Sequence, residues 1–153
     1  MPDLQIVTEQ PIPKRIVPKD LTPERLESLR EAVIDFCRRS KSTAEPMGMW
    51  FYISQILRGQ ADGDLWWSYE GNHVNRFGVV KVNQDFDGKW TAYVQFGWSD
   101  STNGRDSFRV IAKDYIRKGV SRVQFVTRRN IDVFGRWLGT DWKPVATTFE
   151  LRR

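Results

Sequence analysis

The chain has 153 residues, 40% of them hydrophobic and 13% aromatic, which is typical of one folded domain and excludes a disordered chain. No apolar segment approaches the roughly 20 residues of a membrane span, and the single cysteine excludes an internal disulfide and a cysteine-based zinc site. The formal net charge of +5 is uneven, because the residues after position 100 carry 12 basic and 5 acidic side chains. That basic half suits a phosphorylated cofactor, a nucleic acid or an acidic protein surface, or it is only a solvated face.

Four prolines lie within the first 18 residues, which predicts an extended arm at residues 1–18. One short strand is expected near its end, at residues 14–17. Residues 19–153 are expected to form a single domain.

Two helices are predicted next. The segment LTPERLESLREAVIDFCRR has Thr22 as its N-cap, and its apolar residues recur at helical spacing. Cys37 lies on that apolar stripe and is therefore expected in the core. The segment EPMGMWFYISQILRG predicts a second helix that stops at Gly59.

The hydrophobic period then changes to two, which predicts strands. LWWSYE is one strand, and FGVVKVNQ and KWTAYVQFGW form a hairpin around Asp87-Gly88. Strict alternation places five residues of the last strand on one face: Trp90, Ala92, Val94, Phe96 and Trp98.

After a polar loop at Asn103-Gly104, an amphipathic helix, a strand at residues 121–127 and a short helix at IDVFGRWLG are predicted. Residues 143–151 are expected to close the chain as a strand. Alternation places Val145, Thr147, Phe149 and Leu151 on one side of it. The resulting fold class is mixed α/β, with helices flanking a mostly antiparallel sheet.

This element order, together with the segment NIDVFGRWLGTDWKP, resembles the GNAT family of N-acetyltransferases. The resemblance covers the chain from about Lys14 onward and implies the GNAT-like acyl-CoA N-acyltransferase fold. It also implies that acetyl-CoA, if the protein is an enzyme, lies between the family's fourth and fifth strands, which diverge. The resemblance rests mainly on element order, because the family's motifs are degenerate in this sequence.

The family's pyrophosphate loop, Gln/Arg-x-x-Gly-x-Gly/Ala, corresponds here to residues 101–106. Gly104 matches the motif, whereas Ser101 replaces Gln or Arg and Asp106 replaces the last Gly or Ala. The cofactor-binding residues that the resemblance implies are Ser101, Asn103, Gly104, Arg105, Arg109 and Asn130. The alternative is structural: Asn103 or Thr102 caps the helix, Gly104 eases the turn and Asp106 complements the helix dipole.

Catalytic residues have a weaker basis in the sequence. The resemblance assigns Asn130 to the family's Asn position, but Trp137 stands where a Tyr often serves as the thiolate acid, and an indole cannot do so. Glu70 is the candidate general base by position. The only histidine, His73, is a second candidate, although an exposed turn residue is the simpler interpretation.

The Asp106 carboxylate is expected to weaken cofactor binding. Two like charges about 4 Å apart repel by about 4 kcal/mol at an effective dielectric constant of 20, which corresponds to about three decades of affinity. Asp106→Ala is therefore expected to improve acetyl-CoA binding.

Three functions follow from these patterns. The first is a non-catalytic interaction module, similar to small GNAT-like proteins of tailed bacteriophages, located in the host cytoplasm or the virion. Its partners would be other proteins, with phage particle components among them, and its anchors would be the exposed aromatics Trp66, Trp67 and Trp142. The alternatives are an acetyl-CoA-dependent N-acetyltransferase acting on an unknown amine, and a nucleic-acid-binding accessory protein that uses the basic C-terminal half.

Overall fold

The computed structural model describes residues 19–40, 45–100 and 104–126, and, further along the chain, residues 132, 136, 139, 141–145, 149 and 151. Two helices come first, followed by three strands, a third helix and a fourth strand. In chain order these elements are α1 (Pro23–Arg39), α2 (Pro46–Leu57), β1 (Asp64–Glu70), β2 (His73–Gln84), β3 (Trp90–Ser99), α3 (Gly104–Arg117) and β4 (Arg122–Phe125). The predicted arm at residues 1–18 lies outside the described residues.

Both predicted N-terminal helices are confirmed, and local signals explain where they begin and end. The Thr22 side chain accepts a hydrogen bond from the backbone N–H of Arg25 at 3.2 Å, which is the N-cap contact. Cys37 lies on the buried side of α1, as predicted. Gly59 has φ 75°, a left-handed conformation that suits glycine just past the end of α2.

The four strands form one sheet in the order β1-β2-β3-β4. β1, β2 and β3 are an antiparallel meander, and β4 pairs parallel to β3. The predicted hairpin at Asp87-Gly88 joins β2 to β3, and Gly88 has φ 79° there. A parallel pair needs a crossover connection, and α3 is that crossover.

Two hydrophobic cores lie on opposite faces of the sheet. Val79 and Val80 are consecutive and fully buried, and each belongs to a different core because adjacent strand residues point to opposite faces. The first core joins α1 and α2 to the sheet through Leu29, Ala32, Val33, Ile53, Ile56, Leu65, Val74, Phe77 and Val79. The second joins α3 to the other face through Val80, Ala92, Tyr115 and Val120.

The prediction that five alternating residues of β3 share one face is wrong. Val79 pairs with Phe96 but Val80 pairs with Val94, so Gln95 is an extra residue, a β-bulge. The bulge reverses the alternation. Phe96 and Trp98 consequently pack on the α1–α2 face, whereas Trp90, Ala92 and Val94 pack on the α3 face.

The C-terminal predictions meet the structure only in part. The strand predicted at residues 121–127 is observed as β4, which is shorter. In the range 143–151, the described residues 143–145, 149 and 151 are not in a strand. Val145, Phe149 and Leu151 are exposed. The closing strand predicted at residues 143–151 is therefore not observed in the described part of that range.

Candidate functional site

β3 and β4 pair over four residues of each strand, and β3 extends beyond the last described pair. The last pair of their parallel ladder is Val94 opposite Phe125. β3 continues to Ser99, but within the described range 122–126 no residue pairs with this part of β3. Gln95, the bulge residue, is the first residue beyond the last pair. We call this part of β3, residues 95–99, together with the adjacent end of β4, the opening of the sheet, because no described residue of β4 pairs with it.

The N-terminus of α3 lies at the same end of the sheet. β3 runs toward that end and finishes at Ser99, and α3 begins at Gly104 and returns toward the start of β4. The first turn of a helix has backbone N–H groups without intrahelical acceptors, which favour a bound anion. Asp106 lies in this turn with an exposed side chain, so a negatively charged carboxylate is present where an anion would bind.

Three aromatic rings join α3, β4 and the C-terminal part of the chain beside the opening. Phe108 of α3 lies 5.2 Å from Phe125 at the end of β4, centroid to centroid. Trp142 packs on both rings, at 5.1 Å from Phe108 and 5.7 Å from Phe125. Trp142 therefore contacts both α3 and the end of β4. It anchors the C-terminal segment.

Two side chains of β2 reach the elements on either side of residues 101–103. The Arg76 guanidinium donates from Nη1 to the hydroxyl of Ser107, in the first turn of α3, at 2.5 Å. The His73 Nε2 lies 2.8 Å from an Asp100 carboxylate oxygen, directly after β3. The backbone N–H of Asp100 also donates to the carbonyl of Asn75 at 3.0 Å.

On the α1–α2 face, a tyrosine contacts the bulge. The Tyr52 hydroxyl of α2 lies 2.9 Å from the Gln95 side-chain oxygen and 3.1 Å from the backbone carbonyl of Asp62. A phenol has one hydrogen, so these two acceptors share it. Burial raises the pKa of the Tyr52 phenol. Tyr52 therefore remains a neutral donor at physiological pH.

The predicted cofactor-binding residues are only partly within the described chain. Gly104 and Arg109 both lie on α3, and the Arg109 guanidinium lies against Gly139. A Cβ added at Gly139 would be 2.8 Å from Nη2 of Arg109, and Gly139 has φ 101°. Ser101, Asn103 and Asn130 lie outside the described residues, and only the backbone of Arg105 is described.

Glu70, the candidate general base, is the last residue of β1 and is exposed. β2 lies between it and β3, which places it about 10 Å from β3 at the usual strand spacing. His73 is one strand closer and is 63% exposed. The structure thus places both residues at the end of the sheet that carries the opening, with His73 the nearer of the two.

Sequence reasoning missed Tyr52, Arg76 and Gln95. A signal for the bulge exists in the sequence, because Gly97 stands inside a predicted strand, and an interior glycine often marks a bulge. Nothing local identifies Arg76 or Tyr52, since their partners lie 31 and 43 residues away along the chain.

The predicted exposed aromatic anchors are not exposed. Trp66 donates from Nε1 to the Tyr115 hydroxyl at 2.9 Å and packs with the α3 core. Trp67 packs against the core beneath α1 and α2, at 5.4 Å from Tyr69. Trp142 lies in the aromatic cluster beside the opening. All three tryptophans are only partly accessible and hold the fold together.

Several basic residues of the C-terminal half are engaged in ion pairs. Lys118, directly after α3, lies 2.8 Å from Asp114 of α3. Arg122 lies 3.1 Å from Asp87 and 3.4 Å from Asp85, both in the β2–β3 hairpin. Charges neutralised in this way contribute little to a phosphate-binding surface.

Within the described part of the chain, no helix is both long and apolar enough to cross a membrane. No group of three or more histidine, cysteine, aspartate or glutamate side chains there is arranged to hold a metal ion.

No protein-family model matches this sequence, and no curated relative matches it either. Solved structures do. A probable acetyltransferase aligns with a TM-score of 0.64 at 9% identity, covering 86% of this chain and 97% of that one. Glucosamine-6-phosphate N-acetyltransferase from Arabidopsis thaliana aligns with a TM-score of 0.59 at 13% identity, covering 88% and 97%. A Trypanosoma brucei acetyltransferase gives 0.58 at 13% identity, covering 86% and 96%. The chain therefore has the GNAT-like acyl-CoA N-acyltransferase fold.

Proposed function

We propose that this protein binds acetyl-CoA in the opening between β3 and β4 and is an acetyl-CoA-dependent N-acetyltransferase. The observation that carries the proposal is the end of the parallel ladder at Val94 and Phe125, beside the bulge at Gln95 and at the same end as the N-terminus of α3. The fold shared with acetyltransferases supports the same assignment.

The residues present fit a ligand with a pyrophosphate. The first turn of α3 is the positive end of the helix dipole, which favours a bound anion, and the half-buried guanidinium of Arg76 attaches that turn to β2 through Ser107. Acetyl-CoA would supply an acetyl thioester as the acyl donor. On the opposite face of the sheet, Tyr52 and Gln95 are polar groups beside the bulge, where an amine acceptor would approach.

Asp106 is the one residue of this turn that opposes an anion. Its side chain is exposed, so water screens its charge, and the repulsion is closer to the about 1 kcal/mol expected at 4 Å in bulk water than to the about 4 kcal/mol at an effective dielectric constant of 20. We expect Asp106 to lower the affinity for acetyl-CoA about five- to tenfold without abolishing binding.

Isothermal titration calorimetry with acetyl-CoA tests the proposal on the wild-type chain and on Asp106→Ala. We expect measurable wild-type binding and about five- to tenfold tighter binding by the variant. Asp114→Ala is the matched control: it removes the same charge from the other end of α3. It should change the affinity less than twofold, because the charge is distant from the first turn.

Two results would count against this site. An absence of binding by both wild-type and Asp106→Ala at millimolar acetyl-CoA would reject the proposed function. Tight wild-type binding that Asp106→Ala leaves unchanged would place the pyrophosphate elsewhere in the molecule.

A non-catalytic interaction module is the second candidate, and the Asp106 carboxylate in the first turn of α3 favours it. Met47 and Phe51, one turn apart on α2 and both exposed, would give such a module an apolar contact surface. Failure of the calorimetric test together with full stability of the protein would move this candidate to first place. A location in a phage particle remains a prediction within it.

A further inference from the structure

We infer that β2 holds the N-terminus of α3 in position through Arg76 and His73, and that this tether prepares the helix terminus for its anionic ligand. The inference extends the proposed function, because it names side chains that act on the cofactor site from a neighbouring strand. Neither side chain belongs to the family motif to which the sequence was compared.

The Arg76 contact is the stronger part of the tether. Its side chain is half-buried on the sheet face that α3 covers, and its Nη1 donates to Ser107 at 2.5 Å. A hydrogen bond with a charged donor is stronger than a neutral one, and partial burial shields it from competing water. The first turn of α3 is thereby attached to β2, although β3 lies between β2 and β4 in the sheet.

The His73 contact holds the other side of the connection. Asp100, the residue after β3, accepts at 2.8 Å from His73, and its own backbone N–H donates to Asn75 at 3.0 Å. The His73 side chain is 63% exposed, so this contact is the weaker of the two. Residues 73–76 of β2 therefore contact both Asp100 and Ser107.

Attachment at both points matters because a helix N-terminus binds an anion only if its N–H groups are held toward the ligand. A helix terminus whose position must be fixed during binding lowers the affinity, whereas one fixed in advance through Ser107 does not. Because Arg76 acts through Ser107 in this account, it is a positioning residue, and removing either partner should have the same effect.

Hydrogen exchange on the ligand-free protein tests the tether by itself. Arg76→Met and Ser107→Ala should each speed exchange of the amides at residues 108–110 about tenfold, and the double variant should add little. His73→Ala should give about a twofold effect. Arg122→Met, which breaks an ion pair at the β2–β3 hairpin instead, is the control and should leave these amides unchanged.

Acetyl-CoA titrations of the same variants test its role in binding. Arg76→Met and Ser107→Ala should weaken affinity by the same factor, about tenfold, while Arg76→Lys should restore part of it. Loss of affinity in Arg76→Met with none in Ser107→Ala would overturn the inference, because Arg76 would then contact the ligand directly. Unchanged hydrogen exchange in every variant would also overturn it. Altered exchange in a protein that binds no acetyl-CoA would support the tether and reject the proposed function.

Discussion

At the scale of single residues, one buried carboxylate depends on a hydrogen-bond partner, because burying a charge without one costs free energy. Asp64, at the start of β1, is 6% exposed and accepts a hydrogen bond from the Tyr115 hydroxyl of α3 at 2.5 Å. Trp66 donates to the same hydroxyl at 2.9 Å. Burial and the Asp64 carboxylate both raise the pKa of Tyr115, so the phenol remains a neutral donor. This chain of hydrogen bonds attaches the second half of α3 to β1.

Tyr115→Phe removes the hydroxyl and should destabilise the protein by about 1–3 kcal/mol, because Asp64 loses a charge-assisted hydrogen bond in a buried position. Urea unfolding at pH 7 measures the change. Tyr69→Phe is the control, since its hydroxyl donates to Asp20 at 3.0 Å on the surface and should contribute less than about 0.5 kcal/mol. Equal losses in the two variants would show that the buried network has no special role.

At the scale of elements, α1 shows how a local signal sets a helix boundary. Thr22 has extended backbone angles and caps the helix, and Pro23 follows at a position where its missing N–H is not needed. The helix then buries Leu29, Ala32 and Val33 against the sheet. The boundary is thus determined by two adjacent residues and stabilised by the core.

Replacing the cap should shift the stability of the whole domain, because α1 contributes to the first core. We expect Thr22→Ala to lower the free energy of unfolding by about 1 kcal/mol and Thr22→Ser to leave it nearly unchanged. Thermal unfolding of the three proteins, monitored by circular dichroism, makes the comparison. A serine variant as unstable as the alanine variant would mean that the methyl group of Thr22, and not its hydroxyl, stabilises this end of α1.

The bulge in β3 is an element-scale feature that redirects side chains. One extra residue, Gln95, turns Phe96 and Trp98 toward α1 and α2. There the Trp98 indole donates to the Asp35 carboxylate of α1 at 2.9 Å. Strict alternation would have placed both rings under α3. The bulge thus supplies each face with aromatic residues. It lies directly after the last described pair of β3 with β4.

At the scale of the whole molecule, buried ionisable groups connect stability to pH. Burial raises the pKa of the Cys37 thiol, of Tyr52 and of Tyr115. The unfolded chain would release these protons at the usual values, about pH 8.5 for cysteine and about pH 10 for tyrosine, while the folded protein still holds them. These groups therefore do not lower the free energy of unfolding below about pH 8.5, and the free energy of unfolding falls as the pH rises further.

We expect the urea midpoint to be constant between pH 7 and 8 and to fall steadily between pH 9 and 10.5. Cys37→Ala removes the first of these groups, so its midpoint, though lower throughout, should fall less steeply between pH 8.5 and 9.5. A wild-type midpoint that stays constant up to pH 10.5 would contradict the assigned directions of these pKa shifts.

The sequence by itself determined the features that depend on neighbouring residues. The cap at Thr22, the apolar stripe that includes Cys37, the glycine stop at Gly59 and the hairpin at Asp87-Gly88 all follow from backbone preferences and hydrophobic period. Their order was sufficient to predict the fold class. The amphipathic helix that follows the loop at Asn103-Gly104 was predicted as well, so the sequence predicted the helix that lies beside the candidate site.

The tertiary structure alone decided the features that require two distant segments to meet. The bulge at Gln95 depends on the register between β2 and β3, and the opening depends on where β4 stops pairing. The contact of Arg76 with Ser107 spans 31 residues of sequence, and no local pattern encodes it. Periodicity also predicted a strand at residues 143–151, but Phe149 is exposed and is not in a strand, because alternation gives a strand only where the tertiary structure supplies a partner strand. Features set by residues that are neighbours in sequence were therefore predictable, whereas contacts between segments far apart in sequence were not, however strong the local signals were.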